Sequence, residues 1–465
     1  MSEHDRQARL ADLVTALPEL DWIRDSAKLR RLSRDFHWFS PILKQQLSEQ
    51  SAELAVRPRD ERELEAVVSA CASRRLPLNM RGGGTGNYGQ LIPLDGGVIV
   101  DMTQLNAVVS MHAGVVTAQA GIRLGDLQAY TRVHGWELRC MPSTWKVATL
   151  GGLFGGGFGG VGSINYGPLA APGNVLSIRV MTMEERPRIL NIPAPDALLL
   201  HHAYGSNGIV LEIELALAPR HQWYERLDVF DNFASALAFA DALARSPGLV
   251  KRQVAVLAAP IIDYFSKLSV TAGHGVHGVI SVVATESHPL LADLVRQHRG
   301  RNVLHYCEDI NPTHSLIDYC WNHTTLQALK VDKTLTYLQV AYTPEDYYRQ
   351  ILHMQQQLSD EVMSHIEFLR DVRGALTCAG LPLIRYREPA RLDEIMTAYR
   401  DSGAAINNPH VIHIEDGKQG TIRPEVVAAK MELDPNNLLN PGKLRGWEVR
   451  DSLPTSKINS GTSFQ

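Results

Sequence analysis

The sequence predicts an α+β chain of two or three domains, and three observations predict it. Two clusters of glycine sit between apolar, strand-like runs; residues 227–307 read as strand, helix, strand, strand, helix, strand; and the ending is loop-rich and needs a surface to dock on. With 45% hydrophobic and 21% charged residues among 465, a sizeable core is available, and disorder is expected only at the ends. A net charge of −4 gives no case for nucleic acid or an anionic membrane, so a small-molecule partner is the better expectation.

The first cluster is Arg81-Gly82-Gly83-Gly84-Thr85-Gly86-Asn87-Tyr88-Gly89, between the apolar runs 76–80 and 98–101. Glycine costs more chain entropy than any other residue, so clustering it between strands points to main-chain N–H groups approaching an anion closely, with a bound diphosphate the candidate. The second cluster occupies residues 151–162. Fifteen of the 36 glycines fall in 82–97 and 151–162, and neither loop is rich in serine or charge as a flexible linker would be. Residues 147–164 are uncharged and long enough to suggest a membrane span, but eight glycines there argue for a buried, ligand-facing loop instead of a stable helix.

Each element follows from local pattern. Leu10, Leu13, Val14 and Leu17 have helical spacing in a lead-in over residues 1–50. Asp60, with Glu63 three residues on, marks a helix start, and Leu64, Val67, Val68 and Cys71 form its apolar face. Residues 115–120 read as strand, 126–134 as helix stopped by Gly135, and 137–141, 175–183 and 209–217 as strands. In the last of these Glu212 and Glu214 alternate with Ile213 and Leu215, as a half-solvated sheet requires. A first domain over 51–219 is expected to close at Pro219. Beyond it, strands at 227–230, 251–257, 276–284 and 302–307 with helices at 234–245 and 290–298 match a split βαβ, ferredoxin-like layout. Residues 336–342 and 382–387 read as strands and 345–363 as helix, which places a second domain over 220–424 and a returning segment over 425–465.

Two nucleotide motifs fail. Gly157-Phe158-Gly159-Gly160-Val161-Gly162 is formally a G-x-G-x-x-G, but Gly167, Pro168, Pro172 and Gly173 forbid the continuous helix a Rossmann fingerprint needs; no Gly-Lys-Ser/Thr follows either cluster, so a P-loop is excluded.

The first loop, Gly96-Gly97-Val98-Ile99-Val100-Asp101 after it, Pro142-Ser143-Thr144 with Thr149-Leu150-Gly151-Gly152, Gly205-Ser206-Asn207-Gly208-Ile209-Val210, and the run from Asp434-Pro435 to Leu439-Asn440-Pro441-Gly442-Lys443 together resemble the vanillyl-alcohol-oxidase, or PCMH-type, FAD-binding flavoproteins. The resemblance spans residues 50–220 and 430–445, in the family's order. It implies a two-subdomain PCMH-type FAD-binding domain, a ferredoxin-like cap domain for substrate, and a C-terminal return to the FAD domain. By the same resemblance FAD contacts are expected from Arg81, Gly82, Gly83, Gly84, Thr85, Gly86, Asn87 and Tyr88, from Pro142, Ser143, Thr144, Thr149, Gly151 and Gly152, from Gly208, Ile209 and Val210, and from Asn440 and Lys443. Thr85 stands where histidyl-linked relatives carry His, and residues 151–162 hold no Cys, so non-covalent FAD is expected. The D-lactate and glycolate dehydrogenase branch is the nearest analogy by its first loop, yet its late Glu-His-Gly and Gly-Asp-Gly-Asn segments are missing, and no metal is expected.

Flavin chemistry asks for a base or oxyanion-stabilising group facing the ring. His410 and His413 are the candidates, read in a strand that sets them on opposite faces, with His410 favoured; either also fits a satisfied core histidine. Arg385 and Arg387 share a strand face and could clamp a carboxylate or simply meet solvent. Trp321, Tyr337 and Tyr342 fit an aromatic pocket or a core. Cys71, Cys140, Cys307, Cys320 and Cys378 are widely spaced, as reduced thiols of a cytoplasmic protein would be, and the polar start shows no signal peptide. The function expected is FAD-dependent oxidation of an alcohol, hydroxy acid, phenol or amine, with O₂ or another acceptor taking the electrons. The alternatives are a non-catalytic flavin subunit and an NAD(P)H-dependent flavin reductase. Oligomeric state is left open, a homo-oligomer included.

Overall fold

Local signals set the first helices. In the computed structural model, which describes residues 3–307 and 315–454, helix Glu3–Ala16 buries Leu10 and Leu13. Helix Glu61–Ser73 starts where Asp60 Oδ1 accepts the Glu63 N–H at 2.9 Å, while Glu63 accepts the Arg59 N–H at 2.8 Å, and it buries Leu64, Val67, Val68 and Cys71. That helix packs on a three-stranded parallel sheet in the order Leu54–Val56, Val98–Asp101, Leu78–Arg81, whose central strand is buried throughout. Complete burial on both faces explains the continuous apolar run of Val98, Ile99 and Val100.

A second, antiparallel sheet runs in the order Val108–His112, Val115–Gln119, Ile209–Pro219, Val175–Met181, Ile189–Pro193, and Trp136–Leu138 also pairs with Ile209–Pro219. Strand Ile209–Pro219 alternates buried and half-buried residues, with Glu212 and Glu214 on the wetter face. Arg179 lies between Glu61 and Glu212 at 2.6 and 3.1 Å and ties this face to the helix of the first sheet.

The third sheet has eight strands. Its first four lie in the order Arg301–Cys307, Trp223–Phe230, His277–Ala284, Lys251–Leu257, all antiparallel neighbours, with helices Phe233–Arg245 and Leu291–Gln297 as crossovers, which is the ferredoxin-like order. It continues through His365–Arg370, Leu376–Gly380, Val340–Ala341 and Ala405–Ile406. Helix Pro389–Asp401, unforeseen by pattern, covers it with Leu392, Ile395, Met396 and Tyr399.

Two expectations are corrected. Leu150–Gly156 is helical despite its four glycines: Thr149 Oγ1 accepts the Gly152 N–H at 3.1 Å, and Leu150, Leu153 and Phe154 are buried, so capping and packing override propensity. Residues 410–413 form turns before the short 3₁₀ helix Glu415–Lys418, so the strand expected there is absent.

Candidate functional site

The two glycine loops meet backbone to backbone. A Cβ on Gly82 would fall on the Thr149 side chain and one on Gly83 on the Val147 carbonyl, so any larger residue would push the loops apart. Gly84 has φ +66° with the Arg81 guanidinium against its α-carbon, a conformation and a clearance only glycine offers. Arg81 itself turns back: Nη1 donates to the carbonyls of Leu32 and Arg34 at 2.7 and 3.3 Å, fixing the loop to the lead-in.

Between the loops and the eight-stranded sheet lies a cavity of ≈ 1120 Å³. Arg81 to Tyr88, Pro142, Ser143, Thr144, Thr149, Gly151, Gly152, Gly208, Ile209 and Val210 all line it. The structure therefore gathers these scattered residues around one space. Asn440 and Lys443 stand behind that lining. Asn440 Nδ2 donates to the carbonyls of Gln90 and Tyr204 at 2.8 and 2.7 Å, and Lys443 Nζ to the Gly89 carbonyl at 2.7 Å. Burial pushes the Lys443 ammonium down to about 7, against the pull of Asp35. Behind them, Lys430 Nζ donates to the Ser206 carbonyl at 2.6 Å and to Asp434 at 2.8 Å, which fastens helix Pro424–Leu433 to the segment entering Gly208.

The four catalytic candidates separate. His410 is 3% exposed and does not line the cavity; Nε2 donates to the Tyr337 carbonyl at 2.8 Å and Nδ1 accepts from Ser40 Oγ at 2.8 Å. Burial lowers it to about 4, so it is a neutral, fully bonded core imidazole. His413 does line the cavity, with Nδ1 3.3 Å from Asp416 Oδ2. The Arg445 guanidinium grips Asp416 at 2.5 and 2.6 Å and holds its carboxyl below the usual range. Arg385 and Arg387 form no clamp at the cavity. Arg387 is captured by Glu361 at 2.8 Å with its side chain 67% exposed, and Arg385 donates to the Asp360 carbonyl at 3.4 Å away from the cavity. Of the aromatic candidates Trp321 lines the cavity, whereas Tyr337 and Tyr342 are core.

Pattern reading missed His201, His202 and Tyr204. Their segment docks through the N–H groups of His202 and Tyr204 on the carbonyls of Phe154 and Gly155 at 3.0 and 2.8 Å, with φ +54° and +55° at two non-glycine residues. Such backbone costs on the order of 1–3 kcal/mol per residue and persists where surroundings over-determine it. Burial pushes His201 down to about 3 and His202 to about 4, with the positive charge of Lys418 adding to each. A signal existed in the sequence, since His-His directly precedes Ala-Tyr-Gly at the start of the segment already singled out. Arg400, Lys418 and Arg423 also line the cavity and were equally unmarked.

The unpartnered polar groups around the cavity, donors and acceptors together, fit a nucleotide cofactor. Asn87 Nδ2, Gln90 Oε1, Asp35 Oδ2, Asn322 Oδ1 and Arg400 Nε are buried, have no hydrogen-bond partner among the described residues, and belong to side chains lining the cavity. Residues 52–188 match the family model of an FAD binding domain. An FAD-linked oxidoreductase of Mycobacterium tuberculosis is 26% identical over 228 residues, 47% of this chain and 47% of that protein. A D-lactate dehydrogenase of Archaeoglobus fulgidus is 29% identical over 172 residues, 35% and 37% of the two chains. The chain thus spans about half or less of the length of the curated relatives it matches. Among solved structures, alkyldihydroxyacetonephosphate synthase superposes with a TM-score of 0.69 at 15% identity, covering 94% of this chain and 85% of its own. p-Cresol methylhydroxylase gives 0.65 at 12%, covering 95% and 97%. Fold and cradle together define an FAD-binding flavoprotein. Residues 52–188 are its FAD binding domain, the fold is the one p-cresol methylhydroxylase shares, and its cofactor is FAD.

Proposed function

We propose that this protein is an FAD-dependent oxidoreductase that oxidises a small 2-hydroxy acid. The observation that carries the reading is the make-up of the cavity: Arg81, Arg400, Lys418 and Arg423 stand against only Asp35 and Glu415. Glu415 is already engaged by the N–H groups of Arg445 and Gly446 at 3.0 and 2.8 Å, so the space favours anions. The D-lactate dehydrogenase likeness supports the same substrate class.

FAD, when bound, supplies the acceptor for the hydride of the substrate C–H bond. The first loop, with Thr149, Gly151 and Gly152, would hold the diphosphate, without a covalent link. Arg400, whose buried Nε lacks a partner, receives the substrate carboxylate from the side of helix Pro389–Asp401. His413 takes the hydroxyl proton, with Asp416 beside Nδ1 orienting the ring. His202, held at about 4 by burial with the Lys418 charge adding to it, stays neutral and acts as a hydrogen-bonding group.

Anaerobic mixing with D-lactate and related hydroxy acids should bleach the flavin. His413→Ala should slow that bleaching by about 10²–10⁴-fold at unchanged FAD content. Bleaching by NADPH and by no hydroxy acid would replace this reading with that of a reductase.

A further inference from the structure

Trp321 breaks two local rules at once. It has φ +52° and ψ −141°, unusual for a bulky residue, and it stands at the N-cap of helix Asn322–Val331, where Ser, Thr, Asp or Asn would cap with a side-chain oxygen. Its ring lines the cavity, and a Cβ on Gly159 of the second glycine loop would lie 3.5 Å from Trp321 Cη2. The indole therefore reaches from the eight-stranded sheet to the FAD-binding side.

A buried polar network holds it there. The Trp321 N–H donates to Glu367 Oε1 at 2.6 Å, and the indole Nε1 donates to Gln253 Oε1 at 3.1 Å. Gln253 Nε2 in turn donates to Glu367, and His365 Nε2 lies 2.8 Å from Glu367 Oε1. Glu367 and His365 are 0% exposed, on a strand in the middle of the sheet, paired with the strand that carries Gln253. Neither lysine nor arginine is paired with Glu367 among the described residues. Burying a carboxylate is expensive, and two of the groups that donate to it, the Trp321 amide and Gln253, fix the same residue.

We propose that Trp321 is the wall that sets the length of side chain the substrate subsite accepts, and that Glu367, acting through the Trp321 amide with Gln253, is its positioning residue. The substrate class rests on the hydroxy-acid reading, but the wall itself can be read with acids that cannot be oxidised. The test uses FAD-loaded enzyme and the shift of its visible flavin band on titration with acetate and with hexanoate, alongside flavin-reduction rates with D-lactate and D-2-hydroxyhexanoate. Trp321→Ala is expected to move the hexanoate-to-acetate affinity ratio about tenfold toward hexanoate, with the reduction rates following in KM more than in kcat. Glu367→Gln should move it the same way, about threefold, since its amide cannot accept from both Gln253 and Trp321. The double swap Gln253→Glu with Glu367→Gln rebuilds the same bonds, with only the one between positions 253 and 367 reversed in direction, and should return the ratio to the wild-type value.

An unchanged ratio in FAD-loaded Trp321→Ala overturns the wall, as does a wild-type flavin spectrum that neither acid perturbs. Loss of FAD or of folding in Glu367→Gln and in the swap alike, with Trp321→Phe behaving as wild type, overturns the positioning role. A ratio that moves while no hydroxy acid bleaches the wild-type flavin sinks the hydroxy-acid reading and leaves the wall standing.

Discussion

Two histidines three positions apart stand in different surroundings: His410 is buried in the core, and His413 lines the cavity. His410 is held at about 4 in the folded chain against 6.5 for an ordinary imidazole, so the unfolded chain binds more protons between those values. Its neutral form therefore favours folding above pH 6.5, and that contribution is lost as pH falls toward 4, about 2 kcal/mol of it between pH 7 and pH 5. In urea unfolding, His410→Gln should be the less acid-sensitive protein: the stability gap to wild type should narrow by about that amount at pH 5. A gap that ignores pH would mean His410 is not a buried neutral group. The sequence named both residues but ranked them by neighbourhood, and neighbourhood could not show that Ser40, 370 positions away, fills the second nitrogen of His410. Arg387 failed for the same reason, since its captor Glu361 lies outside any local pattern.

At the scale of elements, the glycine loops were legible because bare backbone is a local signal, while the braces behind them were read as cofactor contacts because their type and order fit. Asn440 and Lys443 line no part of the cavity; they hold the carbonyls of Gln90 and Gly89. Asn440→Ala should leave the fold intact and weaken FAD retention by up to about thirtyfold, read as the flavin-to-protein ratio after dialysis, because it removes two hydrogen bonds, each worth about 1 kcal/mol. Gly83→Val should yield apoprotein outright, since its side chain must displace the Val147 carbonyl. Full flavin content in Gly83→Val would contradict the apposition of the loops. The helix Leu150–Gly156 was illegible because glycine propensity argues against it, and its support comes from Thr149 and from burial of Phe154.

For the molecule as a whole, one cavity is walled by separate sheets, so a ligand filling it stabilises them jointly. FAD at a hundredfold over its dissociation constant adds about 2.7 kcal/mol and should raise the thermal midpoint by a few degrees. FMN, which lacks the adenylate, should give less than half that shift; an equal shift would mean the first loop holds no diphosphate. The ferredoxin-like half of the large sheet was readable from its six periodic elements. Its extension was read only at 336–342, which contains Val340–Ala341; Ala405–Ile406 is two residues long and carries no period.

The braces at Asn440 and Lys443 contact loop carbonyls 350 and 354 positions earlier in the chain. A ribosome therefore delivers the cradle long before it delivers the parts that hold it in shape. Cofactor capture belongs to the end of the protein's birth: a nascent chain that stops short of residue 440 carries both glycine loops and still has no firm hold on FAD.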